Sequence, residues 1–184
     1  MINRTQAMIL LKKYVKTTNL IKHSLAVEAI LKRTACYLRE NEELWGLTGL
    51  LHDLDYDHTK DAPHTHASVT ANLVQDLLPE EALHAIKAHN YQFTEQIPET
   101  QLDKALIAAD AVLGLIIATA LVMPSKKLRE VTLKTLINKY KDKSFATGCN
   151  RKRIELCFDC GIDLEIFLEL SLKALQNISE ELGI

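Results

Sequence analysis

The apolar residues of this chain recur at intervals of three and four positions, and no stretch alternates apolar and polar residues as a half-buried strand does. This pattern predicts an all-α fold of about eight or nine helices. We place them at about residues 3–16, 19–38, 42–54, 65–78, 79–89, 101–122, 126–140, 150–160 and 163–182. Asn19 is the expected cap of the second helix, and the composition of residues 57–64 predicts a loop. With 184 residues and no repeat or long linker, the chain predicts a single domain over 1–184.

Residues 105–123 form a nineteen-residue apolar stretch with one charged residue, Asp110, which is about the length of a membrane span. A carboxylate near the centre of a span costs about 2.5 to 3.5 kcal/mol to insert. We therefore interpret the stretch as the central core helix of a bundle, which must also be apolar on nearly all sides. Asp110 then needs a partner inside the protein.

The charges of the chain are nearly balanced, with 22 lysines and arginines against 24 aspartates and glutamates. The formal net charge of -2 gives no global reason to expect nucleic acid or an anionic membrane as a partner. The first nineteen residues lack the apolar segment and cleavage site of a secretory signal. We expect a cytoplasmic protein, and no pattern in the sequence indicates its oligomeric state.

Two of the four cysteines, Cys157 and Cys160, lie in the sequence CFDC, which has the spacing of a redox or zinc motif. A structural zinc site needs four ligands, and no second local pair of cysteines is present. The cysteines are also too few and too unevenly placed for a disulfide framework. We predict that their sulfur atoms pack between helices.

Three separate segments carry residue types that bind metals. His23 lies on the apolar face of the second predicted helix, and Asp110 lies on that of the central helix. His52 and Asp53 end another apolar helix. A lone core histidine is more often simply hydrogen-bonded, but two imidazoles and two carboxylates on three helices can face a common centre, as in the metal sites of helical bundles. These donors suit iron, manganese, cobalt, nickel or zinc.

The order of these four residues in an all-helical chain resembles the HD-domain superfamily of metal-dependent phosphohydrolases. The stretches WGLTGLLHDLDYD, AIKAHN, ALIAADAVLGLI and KYKDKSFATGCNR are similar to segments of small bacterial HD hydrolases of the HDIG type. The glycine of HDIG is absent, because Asp55 and Tyr56 occupy that region. The resemblance implies a metal-site core over about 19–122, on which C-terminal helices over about 126–182 pack.

The resemblance also implies how a second metal ion would be held. In two-metal members a histidine follows the HD pair on the next helix, another ends the helix after that, and the HD aspartate bridges the ions. His66 and His89 match those positions, with Asp53 as the bridge. Asn90 stands where such members often have a further histidine, so the sequence predicts one or two ions. His52 and Asp53 are the expected catalytic pair.

The remaining histidines, His58, His64 and His84, have no clear ligand partner and are expected to contact solvent or form ordinary hydrogen bonds. Asp55 and Asp57 stay open between two interpretations. Each could orient a ligand imidazole or lie in a solvated loop.

A phosphorylated substrate also needs cationic side chains. The C-terminal third contains a run of lysines and arginines, and such runs usually form solvated faces. Within it, KDKSFATGCNR resembles a recurrent segment of small HD hydrolases. We take Lys143 and Arg151 from this segment as candidates for phosphate contacts.

The resemblance implies a phosphohydrolase that acts on a nucleotide or other small phosphorylated metabolite through a metal-activated water. No GxSxG or P-loop pattern is present. Two alternatives stay open. Some HD-fold enzymes resembling myo-inositol oxygenase use a similar ligand set for di-iron oxygen chemistry, and a non-catalytic module could sense a nucleotide or bind a protein with the same pocket.

Overall fold

The computed structural model describes all 184 residues, and they form an all-α fold without strands. The predicted fold class is therefore confirmed. Of the twelve α-helices, eight have seven residues or more and four are single turns. The α-helices are α1 (Arg4–Tyr14), α2 (Thr18–Leu38), α3 (Glu42–Leu51), α4 (Tyr56–Thr59), α5 (Ser68–Val74), α6 (Glu80–His89), α7 (Tyr91–Thr94), α8 (Gln101–Leu121), α9 (Leu133–Lys141), α10 (Arg151–Ile154), α11 (Leu164–Asn177) and α12 (Ser179–Leu182). Two 3₁₀ helices cover Leu128–Glu130 and Glu155–Cys160.

Helix α8 lies at the centre of the core. Thirteen of its 21 residues are buried, and it packs against α2, α6, α9, α10 and the second 3₁₀ helix. By length and composition it is the one helix that could cross a membrane, but most of its apolar surface is already covered by protein. This arrangement agrees with a core helix. Asp110 is only partly buried, and its carboxylate contacts His23 and Arg153.

The close packing of α2 on α3 brings the first two predicted ligand segments together. A Cβ added at Gly49 would lie 3.0 Å from the carbonyl oxygen of Val27, so the absence of a side chain permits this approach. Val27 follows His23 by one turn of α2, and Gly49 precedes His52 by one turn of α3. The glycine contact therefore sets the two histidines side by side.

Several helix ends differ from the sequence predictions, because local hydrogen bonds decide them. The prediction of Asn19 as a cap was wrong: α2 begins at Thr18, so Asn19 lies inside it. The predicted helix over 126–140 opens with a 3₁₀ turn, and α9 starts only after Thr132, whose hydroxyl accepts the N–H of Thr135. The predicted loop over 57–64 contains the end of the single-turn helix α4.

Candidate metal centre

The structure brings all six predicted ligands together from separate elements. His23 lies on α2, and His52 and Asp53 follow the last residue of α3. Among the others, His66 precedes α5, His89 is the last residue of α6, and Asp110 lies in the middle of α8. Five of the six have ligating atoms in two groups, one of His23, His52 and Asp53 and one of Asp53, His66 and His89, and within each group the atoms lie within 4.8 Å of one another. Asp110 belongs to neither group, but its Oδ1 lies 3.4 Å from Nε2 of His23.

Asp53 is the point that the two groups share. Its Oδ1 is buried and has no hydrogen-bond partner. Around it stand the Nε2 atoms of His52, His66 and His89, at 3.4, 3.3 and 3.4 Å. Its Oδ2 lies 3.5 Å from Nε2 of His23. A buried carboxylate oxygen without a partner is costly, and four imidazole nitrogens around one carboxylate form the surroundings of a cation.

Two of these imidazoles are fixed by backbone carbonyls. Nδ1 of His52 lies 2.8 Å from the carbonyl oxygen of Gly49, and Nδ1 of His89 contacts that of Ile86. A carbonyl oxygen can only accept, so each Nδ1 carries the proton and each neutral ring presents a lone pair at Nε2. Burial lowers the pKa of His52, which keeps its ring neutral.

The Nε2 atoms of this cluster also lie close to one another. The Nε2 atoms of His66 and His89 are 3.1 Å apart, and those of His23 and His52 are 3.2 Å apart. Burial alone would raise the pKa of Asp53, but the surrounding imidazoles outweigh it and hold the pKa well below its usual value. A cation between these nitrogens and the carboxylate would satisfy both. The residues present therefore fit a divalent metal ion, and the His and Asp groups could hold one.

Asp55 and Asp57, which the sequence left open, have different roles. Asp55 is buried, and its Oδ1 accepts a hydrogen bond from Nδ1 of His66 at 2.8 Å. Although burial lowers the pKa of His66, this bond and the nearby carboxylates outweigh it, and the net pKa is raised. Asp57 instead accepts the backbone N–H groups of Lys16 and Thr17, between α1 and α2. Only Asp55 orients a ligand imidazole.

The backbone beside His66 is strained. Ala67 has a φ of 72° and a ψ of -39°, in a region that residues with a side chain rarely adopt, and it is fully buried. Such a conformation costs on the order of 1–3 kcal/mol and persists only where the surroundings enforce it. Here it turns the chain abruptly between His66 and α5. Asn90 supports the turn, since its amide donates to the carbonyl oxygens of Pro63 and His66.

Comparison with protein families supplies the deciding observation. The model of the HD domain family matches residues 20–115, which are 96 of the 184 residues and include all six ligands. The chain belongs to the HD domain family. The pair after which the family is named is His52 and Asp53.

About half of the chain is similar to part of a longer curated protein. Ribonuclease Y of Desulforudis audaxviator is 36% identical over 96 residues, which are 51% of this chain and 18% of that protein. The chain thus spans less than a fifth of the relative's length. No solved structure matches the chain.

The HD site opens into a cavity of about 420 Å³. Besides the ligands, its walls include Tyr56, Lys60, Asn90 and Arg153. Tyr56 packs edge-on against the ring of His66, with 5.3 Å between the centroids. Lys60 is exposed, and with Arg153 it gives the cavity two cationic side chains.

Arg153 is the residue at this site that the sequence analysis missed. Its Nη2 lies 3.1 Å from Oδ2 of Asp110 and 3.0 Å from the carbonyl oxygen of His89. Its Nε is buried without a partner. The only signal in the sequence was its place in the basic run RKR, which does not distinguish it from Arg151.

The structure does not bring the two predicted phosphate residues to the cavity. The guanidinium of Arg151 donates to the carbonyl oxygens of Phe145 and Ala146, both at 2.6 Å, and to that of Cys149 at 2.9 Å. It holds together the turn that follows α9. Lys143 is exposed in the same turn. Neither residue lines the cavity of the metal centre.

The remaining histidines lie outside the site. His58 and His64 are exposed, and His84 contacts Oδ2 of Asp103 at 3.0 Å and the amide of Gln96 at 2.7 Å. His84 is thus an ordinary hydrogen-bonded residue that helps to hold the start of α8.

Proposed function

We propose that this HD domain is a metal-dependent phosphohydrolase that acts on a small phosphorylated molecule. The observation that carries the proposal is the unpartnered, buried Oδ1 of Asp53 at the centre of three imidazole Nε2 atoms. HD domains are mostly metal-dependent hydrolases, and this chain has two groups of His and Asp residues that could hold metal ions.

The chain's own residues supply binding and orientation. A divalent ion held by Asp53 and the histidines would act as a Lewis acid and lower the pKa of a water toward neutrality. Arg153 and Lys60 place two positive charges on the cavity wall, where they can bind phosphoryl oxygens. Asp110 holds the Arg153 guanidinium at 3.1 Å and so positions it against the cavity.

The substrate stays a proposal. The sequence analysis predicts a nucleotide-like molecule and no nucleic-acid partner. The name of the longer relative, a ribonuclease, brings in phosphodiesters as a second class of ester for this centre. Both monoesters and diesters therefore belong in an activity test.

The test begins with metal analysis of protein purified without chelator. The protein is then loaded in turn with iron, manganese, cobalt, nickel or zinc and assayed on phosphomonoesters, nucleotides and a phosphodiester, with and without oxygen. We expect metal-dependent phosphate release that proceeds without oxygen. Product that forms only with oxygen would favour an oxygenase, and nucleotide binding without turnover would favour a sensing module.

A further inference from the structure

A second cavity adjoins the metal centre and differs from it in chemistry. It has a volume of about 710 Å³ and lies between α2, α8 and the C-terminal residues Leu182 and Ile184. His23 and Asp110 line both cavities, so the second one lies directly beside the metal site. We call it the apolar groove. Away from the ligands, its wall on α8 is made of Leu113, Gly114, Ile117, Ala118 and Leu121.

The groove offers few polar partners to a ligand. Lys22 is its only cationic residue, and its Nζ donates to the carbonyl oxygen of Leu182 at 2.7 Å. Apart from Lys22 and the ligands His23 and Asp110, Asn19 is the only polar side chain among the lining residues. A base or sugar would have to give up hydrogen bonds with water to enter, and an apolar group would not.

Gly114 provides an independent observation. It lies inside α8, where glycine is about 1 kcal/mol less favourable than alanine. At Gly49, neighbouring atoms explain the glycine, but a Cβ added at Gly114 would meet nothing within 4 Å. Packing within this chain therefore does not require a glycine there. Gly114 follows Asp110 by one helical turn, so it lies beside the metal site. It lines both the apolar groove and a smaller cavity of about 450 Å³, and Ala118, one turn farther along α8, lines the groove but not that smaller cavity.

We propose that the apolar groove binds the organic part of the substrate, and that this part is an extended alkyl or aryl group esterified to the phosphate. The proposal rests on the proposed function and specifies its substrate class. The phosphate lies at the metal centre against Arg153, and the apolar group runs along α8 over Gly114 toward Leu121.

The helix supplies a scale for the length of that group. Gly114, Ala118 and Leu121 follow Asp110 by about 6, 12 and 16 Å along the axis of α8, at 1.5 Å per residue. A longer apolar chain therefore covers more of the groove until it passes Leu121, which is half exposed at the far end.

The experiment measures kcat/KM for metal-loaded protein on a series from ethyl through butyl, hexyl and octyl to decyl phosphate, each below its critical micelle concentration. Each methylene that enters the groove is expected to raise kcat/KM by about fourfold, and the rise should end when the groove is full. Binding of the matching alkylphosphonates, measured by calorimetry, should strengthen along the same series.

Two variants shorten the groove at known points. Gly114→Leu has space for its side chain and gains helix propensity, so it is expected to fold. The rise of kcat/KM with chain length should stop at a short chain in Gly114→Leu. It should stop at a longer chain in Ala118→Leu, because Ala118 lies one helical turn farther from the ligands. Asn72→Leu is the matched control, because Asn72 is exposed on α5 and lines neither the metal-site cavity nor the groove. It should retain the full dependence on chain length.

Each possible result either supports or overturns the proposal that the groove binds the apolar part of the substrate. Hydrolysis of the short esters without any dependence on chain length, or a dependence lost in Asn72→Leu instead, would overturn the groove proposal and leave the proposed phosphohydrolase activity standing. Alkylphosphonate binding that rises with chain length, without hydrolysis, would support the groove and overturn the activity. A dimer that Ala118→Leu dissociates would show that a second copy of the chain covers this face, and would overturn the proposal.

Discussion

Two regions of this protein carry residues with the types and spacing of metal ligands, and only one of them has the geometry of a metal site. At the HD centre, His and Asp side chains from separate helices surround Oδ1 of Asp53, which has no other partner. In the CFDC segment, Cys157 and Cys160 lie on one 3₁₀ helix, and both are free and buried. The sulfur of Cys160 faces the carbonyl oxygens of Gln101 and Leu156, at 3.5 Å each.

The difference shows what turns metal-binding residue types into a site. At the HD centre, donors from several elements converge, and hydrogen bonds to carbonyl oxygens or to Asp55 hold the far side of three imidazoles. The cysteines have the right local spacing, but no donors from other elements meet them. Burial raises the pKa of each of the two thiols to about 12, which keeps them protonated.

The largest effect should come from Asp53→Ala, which removes the atom that both groups of the HD centre share. We expect loss of bound metal and loss of phosphatase activity by at least about a hundredfold, because outer partners of ligands alone change these by 10- to 100-fold. Metal analysis and turnover measure this. Asp159→Ala is the matched control in the CFDC segment, where Asp159 is exposed. Undiminished turnover in Asp53→Ala would reject the site.

The second largest effect should come from His66→Ala, which tests whether each of the two ligand groups of the HD centre holds its own ion. His66→Ala removes a ligand from the group of Asp53, His66 and His89 and leaves His23 and His52 in place. If each group holds one ion, metal content per chain should fall from two ions to one. The Cys157→Ala, Cys160→Ala double variant should keep both. Unchanged metal content in His66→Ala would show that His66 binds no ion.

Asp55→Asn tests orientation without removing a ligand. Asparagine keeps the size of the side chain but replaces the carboxylate that holds Nδ1 of His66 at 2.8 Å. We expect metal affinity to fall by about 10- to 100-fold, less than in His66→Ala. Titration with the metal found in the purified protein measures this. Asp57→Asn, which changes a carboxylate far from the imidazoles, should bind metal like the unmodified protein; equal losses in both variants would contradict the role of Asp55.

The helical class could be predicted because the spacing of apolar residues is visible within each segment of the sequence. The six residues that the structure brings together could be predicted because His and Asp follow one another along the chain in the order that the HD family has. The sequence could not choose between Asp55 and Asp57, since their roles depend on contacts with Thr70 in one case and with the α1–α2 turn in the other. The sequence also pointed to Arg151 instead of Arg153, because the contacts that distinguish the two arginines come from other parts of the chain. Two residues apart on a single-turn helix, one arginine holds a backbone turn and the other reaches Asp110.

The smallest effect concerns the cysteines themselves. A thiol with a pKa of about 12 has about a thousandfold less thiolate near neutral pH than one at the ordinary 9.0, and the raised value means that the thiolate forms only well above pH 9. Glu42 also raises the pKa of Cys36, but this thiol is exposed. An aromatic disulfide reagent at pH 8 should therefore react faster with Cys36 than with Cys157 and Cys160, which are buried as well. All four thiols should react after denaturation. Two further fast thiols in the native protein, protected by added zinc, would show that the CFDC segment is a metal site after all and would remove the contrast with the HD centre.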